Sequence, residues 1–506
     1  MSVKHGKPLS AKESYAHSER SEFRGFQMTC VALNDVSQPP TRKQVRACID
    51  DADQSFRTCW QTLTSMKKME LDGCALFDFQ PALASALFKL DDAYRRLVHH
   101  RGVLIRKKHS FSAVRFGQRM RALGQDLEAL RAAIRVGRNL GDAFAWTFYR
   151  YDQPSLEVHF KNPPNPPTPA GIGGRGELEF IKQVKLRGLL VLYHGITTFL
   201  RIGDVSFFDP VTGRITGIGE LKSKPSEPGK VIVRMHSIHR GEREKIPFIN
   251  LSRAATNREQ DRDEEAQFKA VIERQMKKMV EVVRLPEPNR KADLQDAYHI
   301  DELGNFAKQL SLKRPKAFQR IGKGGVLVGC CPFRGKSLSG RIYSSTSQAS
   351  IFKRMAGIRE RVSTILNPEL PDNSIFGSAL DPGVYHGIPP LFWFPCNTDF
   401  LEKIYFMRAI VWTIYNPAYL FRALRARGYE VHTEYPRSDR PKFEMRKAVS
   451  KGVAAIEGLD FYLALIEQRF MREAKIIEGF DRVFREAPDL ASGQGTRIEL
   501  SFVHHF

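Results

Sequence analysis

The sequence predicts a mixed α/β protein in which a small unit of strands and helices is flanked by mainly helical N- and C-terminal regions. Three observations carry this expectation. Residues 205–208 and 215–221 are rich in β-formers and are separated by Asp209-Pro210-Val211-Thr212-Gly213, the pattern of a hairpin with its turn in the middle. Apolar residues recur at helical spacing over 41–69, 81–98 and 125–151, so the N-terminal block is mostly helical. Around the hairpin, a helical start at 176–181 and an apolar run at 188–199 precede it, and a strand at 230–239, an amphipathic helix at 257–283 and a short buried strand at 325–329 follow.

Residues 1–40 are polar and Ser-rich and are expected to form a flexible tail. Pro39-Pro40 followed by Thr41-x-x-Gln44 has the form of a capping box, which places the first helix start at 41. Residues 41–160 then form a helical, basic region. The segment 161–176 is dense in proline, which enforces extended backbone, and in glycine, which releases it; it reads as a linker. Residues 177–345 are the expected α/β core. Helical patterns over 402–427 and 445–486, with a closing strand at 496–503, predict a mainly helical C-terminal domain over 346–506.

The hairpin carries the chemistry. Side chains alternate faces along a strand, so Ile202, Asp204, Ser206 and Phe208 share one face, and Arg214, Thr216, Ile218, Glu220 and Lys222 share one face of the return strand. An odd loop, 209–213, sets Asp204 opposite Ile218 and diagonal to Glu220, so that two carboxylates and a lysine converge. An even loop would send Asp204 to the other face. Gly203 and Gly219 each precede a carboxylate, and glycine inside a strand marks a bulge or a close approach.

With Asp204 and then Glu220-x-Lys222 on successive strands, the chain resembles the PD-(D/E)xK nuclease superfamily over about residues 176–329. Ile202-Gly203 stands where the motif has its proline. The resemblance implies a restriction-endonuclease-like αβββαβ core and a nuclease hydrolysing phosphodiester bonds, of DNA rather than RNA, in restriction, phage defence, repair or mobile-element processing. It implies Asp204, Glu220 and Lys222 as catalytic residues, with Asp204 and Glu220 holding Mg²⁺ or Mn²⁺. It also implies frequent dimers, so a homo-oligomer or a regulatory partner subunit is expected. Two carboxylates suit a hard divalent cation, which polarises a phosphate oxygen and a water; a lysine beside them orients or deprotonates that water and offsets charge on the phosphorane.

A further acidic ligand in such proteins comes from the helix before the first strand, which points to Glu179 or Glu177, although acids in a first helical turn also complement the helix dipole. Asp142, one turn before Trp146 in the helix over 125–151, is a rival metal ligand, with Arg138 available at i−4 as an ordinary ion-pair partner.

A formal charge of +23 and a pI near 9.7 favour a polyanionic partner, nucleic acid above all. Nine Lys/Arg fall between Arg95 and Arg121 with no intervening acid, and Arg101, Arg106, Lys107, Lys108 and Arg115 are the candidate nucleic-acid contacts. A second basic stretch, 422–451, is interleaved with acids and reads equally as a solvated surface. Seven scattered cysteines without a Cys-x-x-Cys fit reduced thiols, and no stretch nears eighteen uninterrupted apolar residues, so a cytoplasmic, bacterial protein without a membrane segment is expected. The adjacent pairs His99-His100 and His504-His505 do not suggest zinc, and Tyr193-His194 on the first strand stands near the site, although a buried histidine of this kind is more often a satisfied core residue.

Two glycine patterns imitate nucleotide sites. Gly329 to Ser337 nearly spells a phosphate-binding loop but has one residue too many, and Gly171-x-Gly173-x-x-Gly176 follows prolines where a strand is required and reads as linker. The alternative to a nuclease is a catalytically inactive nucleic-acid-binding or assembly subunit with the same fold, and a weaker one is a nucleotide switch at Gly335.

Overall fold

The computed structural model describes residues 24–29, 38–162 except 69, 71–72 and 151, 172–239 except 187–190, 210–213 and 228–229, 297–345 except 311–315 and 331–335, 376–434 except 385–388 and 395, and 442–486 except 450–451 and 458, with 362 and 366. The helix expected over 257–283 and the strand expected over 496–503 lie outside the described residues.

The protein is a mixture of helices and small antiparallel sheets. Three long helices, α1 (Arg42–Lys67), α2 (Gly73–Arg106) and α3 (Ala113–Tyr149), open it. The capping box forms as expected: the Thr41 amide donates to Gln44 Oε1 at 2.8 Å, and the Gln44 amide to Thr41 Oγ1 at 3.4 Å. The helices α2 and α3 run antiparallel, with Phe79 stacked on Phe144 at 4.1 Å and Arg131 Nε donating to Tyr94 Oη at 2.9 Å. Trp60 of α1 packs against Phe392, Tyr405 and Phe406 at centroid distances of 5.1, 5.3 and 5.9 Å. One apolar core therefore runs from the N-terminal helices, at Val45, into the C-terminal region, at Phe480.

After α4 (Gln153–Phe160) and α5 (Ile172–Leu186) comes a five-stranded antiparallel sheet in the order β1-β5-β4-β3-β2. Its strands are β1 (Arg24–Thr29), β2 (Val191–Tyr193), β3 (Val205–Asp209), β4 (Arg214–Glu227) and β5 (Lys230–His239). Two expectations change here. Part of the expected tail is an edge strand, Arg24 opposite Met235 and Thr29 opposite Lys230. The glycine-rich end of the expected linker is the first turn of α5. Gly176 explains why: a Cβ there would lie 2.0 Å from Ser223 Oγ, so only glycine lets this helix descend onto the sheet. Within the apolar run 188–199, the described residues form β2 and then a short 3₁₀ segment, His194–Ile196.

Further along lie α6 (Ile300–Gln309), β6 (Lys316–Ile321), β7 (Gly325–Cys330), α7 (Leu338–Ser345), β8 (Phe376–Ala379), α8 (Thr398–Tyr405) and β9 (Ile410–Tyr415). The short buried strand at 325–329, expected to complete the hairpin's sheet, is β7 and belongs to a separate four-stranded sheet, β6-β7-β9-β8. The place beside β4 is taken by β5, joined to it antiparallel. This second sheet also draws strands from both sides of residue 345, where a boundary was expected.

The C-terminal region is mixed, not mainly helical. The segment 402–427 breaks after α8, where Met407 adopts φ +55°, and the alternating, β-branched run of β9 pairs with β7 before α9 (Ala418–Arg425). Two strands, β11 (Lys442–Val449) and β12 (Gly452–Glu457), form a three-stranded sheet with β10 (Glu430–Glu434) before α10 (Leu459–Arg469) and α11 (Glu473–Glu486).

Candidate functional site

The hairpin forms, by a route the sequence did not show. Asp209 pairs with Arg214, which leaves an even loop of four residues, 210–213, the case expected to throw Asp204 to the wrong face. A bulge compensates. Phe207 pairs with Gly217 and Phe208 with Ile215, so Thr216 is the extra residue and its hydroxyl donates to the Phe207 carbonyl at 3.3 Å. Beyond the bulge Val205 stands opposite Gly219 and Ser206 opposite Ile218, two residues on from the register an odd loop would give, and the ladder ends there, one residue short of Asp204.

Asp204 itself lies just before β3, at the lip where the strand pair opens. Gly203 makes the approach in the left-handed region, φ +69°, with Ile218 Cγ2 and the Gly219 carbonyl packed where a Cβ would sit. The Asp204 amide donates to the Gly219 carbonyl at 2.8 Å, and its carboxylate Oδ2 accepts the Leu221 amide at 2.6 Å. That carboxylate thus replaces the ladder partner that β4 loses where β3 begins. Glu220 is buried and takes the ammonium of Lys222, two residues along the same face.

A third carboxylate comes from α5. Glu177 is buried and accepts from Tyr193 Oη at 2.5 Å. By strand alternation Tyr193 and Ser223 face the opposite side of the sheet from Glu220, toward α5, so Glu177 reaches the lip from the other face. Burial pushes Glu177 up to about 7, with Glu220 adding to the rise and the Tyr193 hydroxyl opposing it. Although Asp204 as a residue keeps some contact with solvent, its carboxyl group is held well above the usual carboxylate range, by burial first and then by the charges of Glu220 and Glu177. Three acids thus feel one another around a single edge of the sheet.

Such an edge is short of positive charge, and the donor chemistry, carboxylate oxygen throughout, suits a hard divalent cation. Among the described residues no group of three His, Cys, Asp or Glu is arranged to hold a metal ion. Mg²⁺ is commonly held by one or two carboxylates and completes its shell with water and substrate phosphate, a lesser requirement.

The remaining candidates separate from this lip. Glu179 is turned to Lys182, 3.7 Å away, while Glu177 occupies the place considered for either. A signal was available: Glu177, Phe180, Ile181 and Val184 share the i, i+3, i+4, i+7 spacing of one helix face, and Glu179 does not. Asp142 is a loop clamp. Its oxygens accept the Thr198 amide at 2.7 Å, the Thr198 hydroxyl at 2.6 Å and the Val384 amide at 3.5 Å, in place of the Arg138 pair expected. Burial pushes its carboxyl up to about 6 despite those bonds. His194 is a core histidine, with Nδ1 3.1 Å from the Gly203 carbonyl and Nε2 2.6 Å from Ser206 Oγ, which in turn bonds Tyr149 Oη at 2.6 Å. Burial lowers it to about 4.

The phosphate-loop imitation is closed by the protein's own acid. The Ser339 amide and hydroxyl at the start of α7 donate to the two oxygens of Asp50, each at 2.9 Å, where an anion would have to bind. Arg101, Arg106, Lys107, Lys108 and Arg115 are exposed at the tip of the α2–α3 hairpin, far along α2 from the lip. Among the described residues no helix is long and apolar enough to cross a membrane, and Cys48, Cys59, Cys330 and Cys396 are free thiols.

Comparison with protein-family models, with curated proteins and with solved structures returns no match to this chain. A functional assignment therefore rests on the geometry of the lip.

Proposed function

We propose that the protein is a metal-dependent nuclease of the PD-(D/E)xK kind, with Asp204, Glu220 and Lys222 at its centre. The observation that carries the reading is that Asp204 Oδ2 accepts the amide of Leu221, the residue between Glu220 and Lys222, whose own side chains pair with each other. The local order α5, β2, β3, β4 agrees with the first half of an αβββαβ core. Asp204 and Glu220 would hold Mg²⁺ or Mn²⁺, which when bound polarises a phosphate oxygen and acidifies a water. Lys222, partly exposed and held as an ammonium by Glu220, would donate to and orient the attacking water and offset the charge gathering on the phosphate. Glu177, under Tyr193, fixes the electrostatic balance of the lip from behind. The strongly positive chain favours nucleic acid as the substrate.

The test is degradation of plasmid and single-stranded DNA with Mg²⁺ or Mn²⁺ by the unsubstituted protein and by Asp204→Asn, Glu220→Gln and Lys222→Ala. Loss of cutting is expected with either carboxylate variant, and a fall of about 10²- to 10⁴-fold with Lys222→Ala, the usual worth of a positioned proton-transfer group. Cutting that survives all three substitutions removes the assignment.

A second reading is favoured by one observation. Each carboxylate already has a protein donor, namely the Leu221 amide, Lys222 or Tyr193, so the network also closes without a metal. This describes a nucleic-acid-binding or assembly subunit that keeps the arrangement without turnover, and binding without cutting under any metal would select it.

A further inference from the structure

The tip of the α2–α3 hairpin is the strongest charge feature that the lip does not use. Arg96 donates to the Gln38 carbonyl, and Arg42 Nε to Asp126 Oδ1 at 2.9 Å, which puts the start of α1 beside residue 96 of α2 and residue 126 of α3. The hairpin between those points projects past α1. No acid occurs from 93 to 125, and among the described residues none of Arg101, Arg106, Lys107, Lys108 and Arg115 enters an ion pair.

The other end of α2 is tied to the candidate site. Gln80 accepts the Tyr193 amide at 2.7 Å and donates to the Val191 carbonyl, so α2 is anchored to β2 on the sheet that carries Asp204. Arg106 lies 26 residues further along α2, about 39 Å at 1.5 Å per residue. At about 3.4 Å per base pair this is roughly one turn of duplex.

Resting on the nuclease reading of the lip, we propose that the α2–α3 tip is a second anchor for the phosphate backbone, and that the substrate is double-stranded DNA extending about one helical turn from the bond that is cut. Charge complementarity selects phosphate as the ligand. Rigidity selects the duplex, because a double helix with a persistence length of about 150 base pairs holds its phosphates in fixed relation across such a span, whereas a single strand does not. Sequence-tolerant binding of single strands also calls for exposed aromatic platforms. The large exposed apolar residues at the tip are aliphatic, Ile105 and Val114, while Phe111 is half-buried beneath the Arg119 guanidinium at 4.6 Å.

The experiment measures binding by the full chain carrying Asp204→Asn, so that nothing is cut. Labelled duplexes of about 8 base pairs, too short to span the two anchors, and of about 40 base pairs, with a single strand of the longer length, are titrated across NaCl concentration, with the tip intact or with Arg106→Ala, Lys107→Ala, Lys108→Ala and Arg115→Ala combined. The intact tip is expected to bind the long duplex at least about tenfold more tightly than the short one, and the combined variant to lose that advantage. The slope of log affinity against log salt should fall by about 3 to 4, at about 0.9 per phosphate contact released. Circular dichroism checks the fold of the variant, and Arg106→Lys with Arg115→Lys should keep the binding.

An unchanged slope and affinity in the combined variant overturn the proposal, as does a single strand that binds as tightly and depends on the tip as strongly. Vesicles containing phosphatidylserine supply the contrasting arm: tip-dependent binding to them with duplex binding unchanged makes the tip a membrane-surface element and also overturns it. A failure of the nuclease reading looks different, as tip-dependent duplex binding by a protein that cuts nothing with Mg²⁺ or Mn²⁺.

Discussion

Glu177→Gln tests whether the three acids at the lip share one electrostatic environment. Glu177 is buried and moved from an ordinary 4.5 to about 7, so its charged form is disfavoured in the fold. Below pH 4.5 the carboxyl is protonated in both folded and unfolded chains and costs nothing. Between 4.5 and 7 the unfolded chain ionises while the folded one resists, and above 7 the whole deficit remains. At about 1.4 kcal/mol per pH unit the deficit is roughly 3 kcal/mol. Glutamine keeps an acceptor for the Tyr193 hydroxyl and carries no charge, so the variant should gain on the parent as pH rises. The assay is urea unfolding of both proteins at intervals from pH 4.5 to 8.5, and the expected result is a stability difference that moves by about 3 kcal/mol in favour of glutamine across that window. A difference that stays flat with pH refutes the reasoning, because it would mean that burial and Glu220 do not bear on Glu177.

Gly203→Ala should cost about 1 kcal/mol or more, since alanine at φ +69° would press on Ile218 and the Gly219 carbonyl, and it should displace Asp204 with a loss of any cutting; an unfolding midpoint equal to the parent's argues against that account. At His299 burial works against the charge, but Glu473, 3.2 Å away, and Glu302, 3.0 Å away, outweigh it and raise the imidazole above 6.5. Its stabilisation is complete below pH 6.5 and is lost as pH rises through the raised folded value, so His299→Gln should lower the thermal midpoint more at pH 6 than at pH 9, and an equal loss at both speaks against the pair of glutamates. Thr41→Ala removes the capping box and should cost about 1 kcal/mol in urea unfolding; no change would mean that the cap is redundant with the packing of α1. If Asp204 and Glu220 hold a cation, Mg²⁺ should raise the thermal midpoint of the parent and leave that of Asp204→Asn unmoved, as mass action on a native-state site requires.

Much of the N-terminal half was legible because its signals are local. The capping box at Thr41 and the spacing of Leu127, Leu130 and Phe144 along α3 each act within a few residues, and each forms where it was expected. The C-terminal half was less so. Apolar spacing over 402–427 suits a helix about as well as a buried strand, and the difference was made by β7, which offers β9 an edge to pair with from about eighty residues away. The single carboxylate chosen from α5 was also a matter of packing, since Gly176 against Ser223 sets which side of that helix faces the sheet.

What the amino-acid order determined by itself is the chemistry of the hairpin: an aspartate, a glutamate and a lysine spaced for strands, on a chain charged for polyanions. What only the tertiary structure decided is whether those groups meet. Strand parity is a one-residue property: the even loop alone would set Ser206 opposite Gly217, and Thr216, bulging out of the ladder, sets it opposite Ile218 instead. A bulge is settled by how two strands and their neighbours pack, and nothing in the local alternation of β4 announces it.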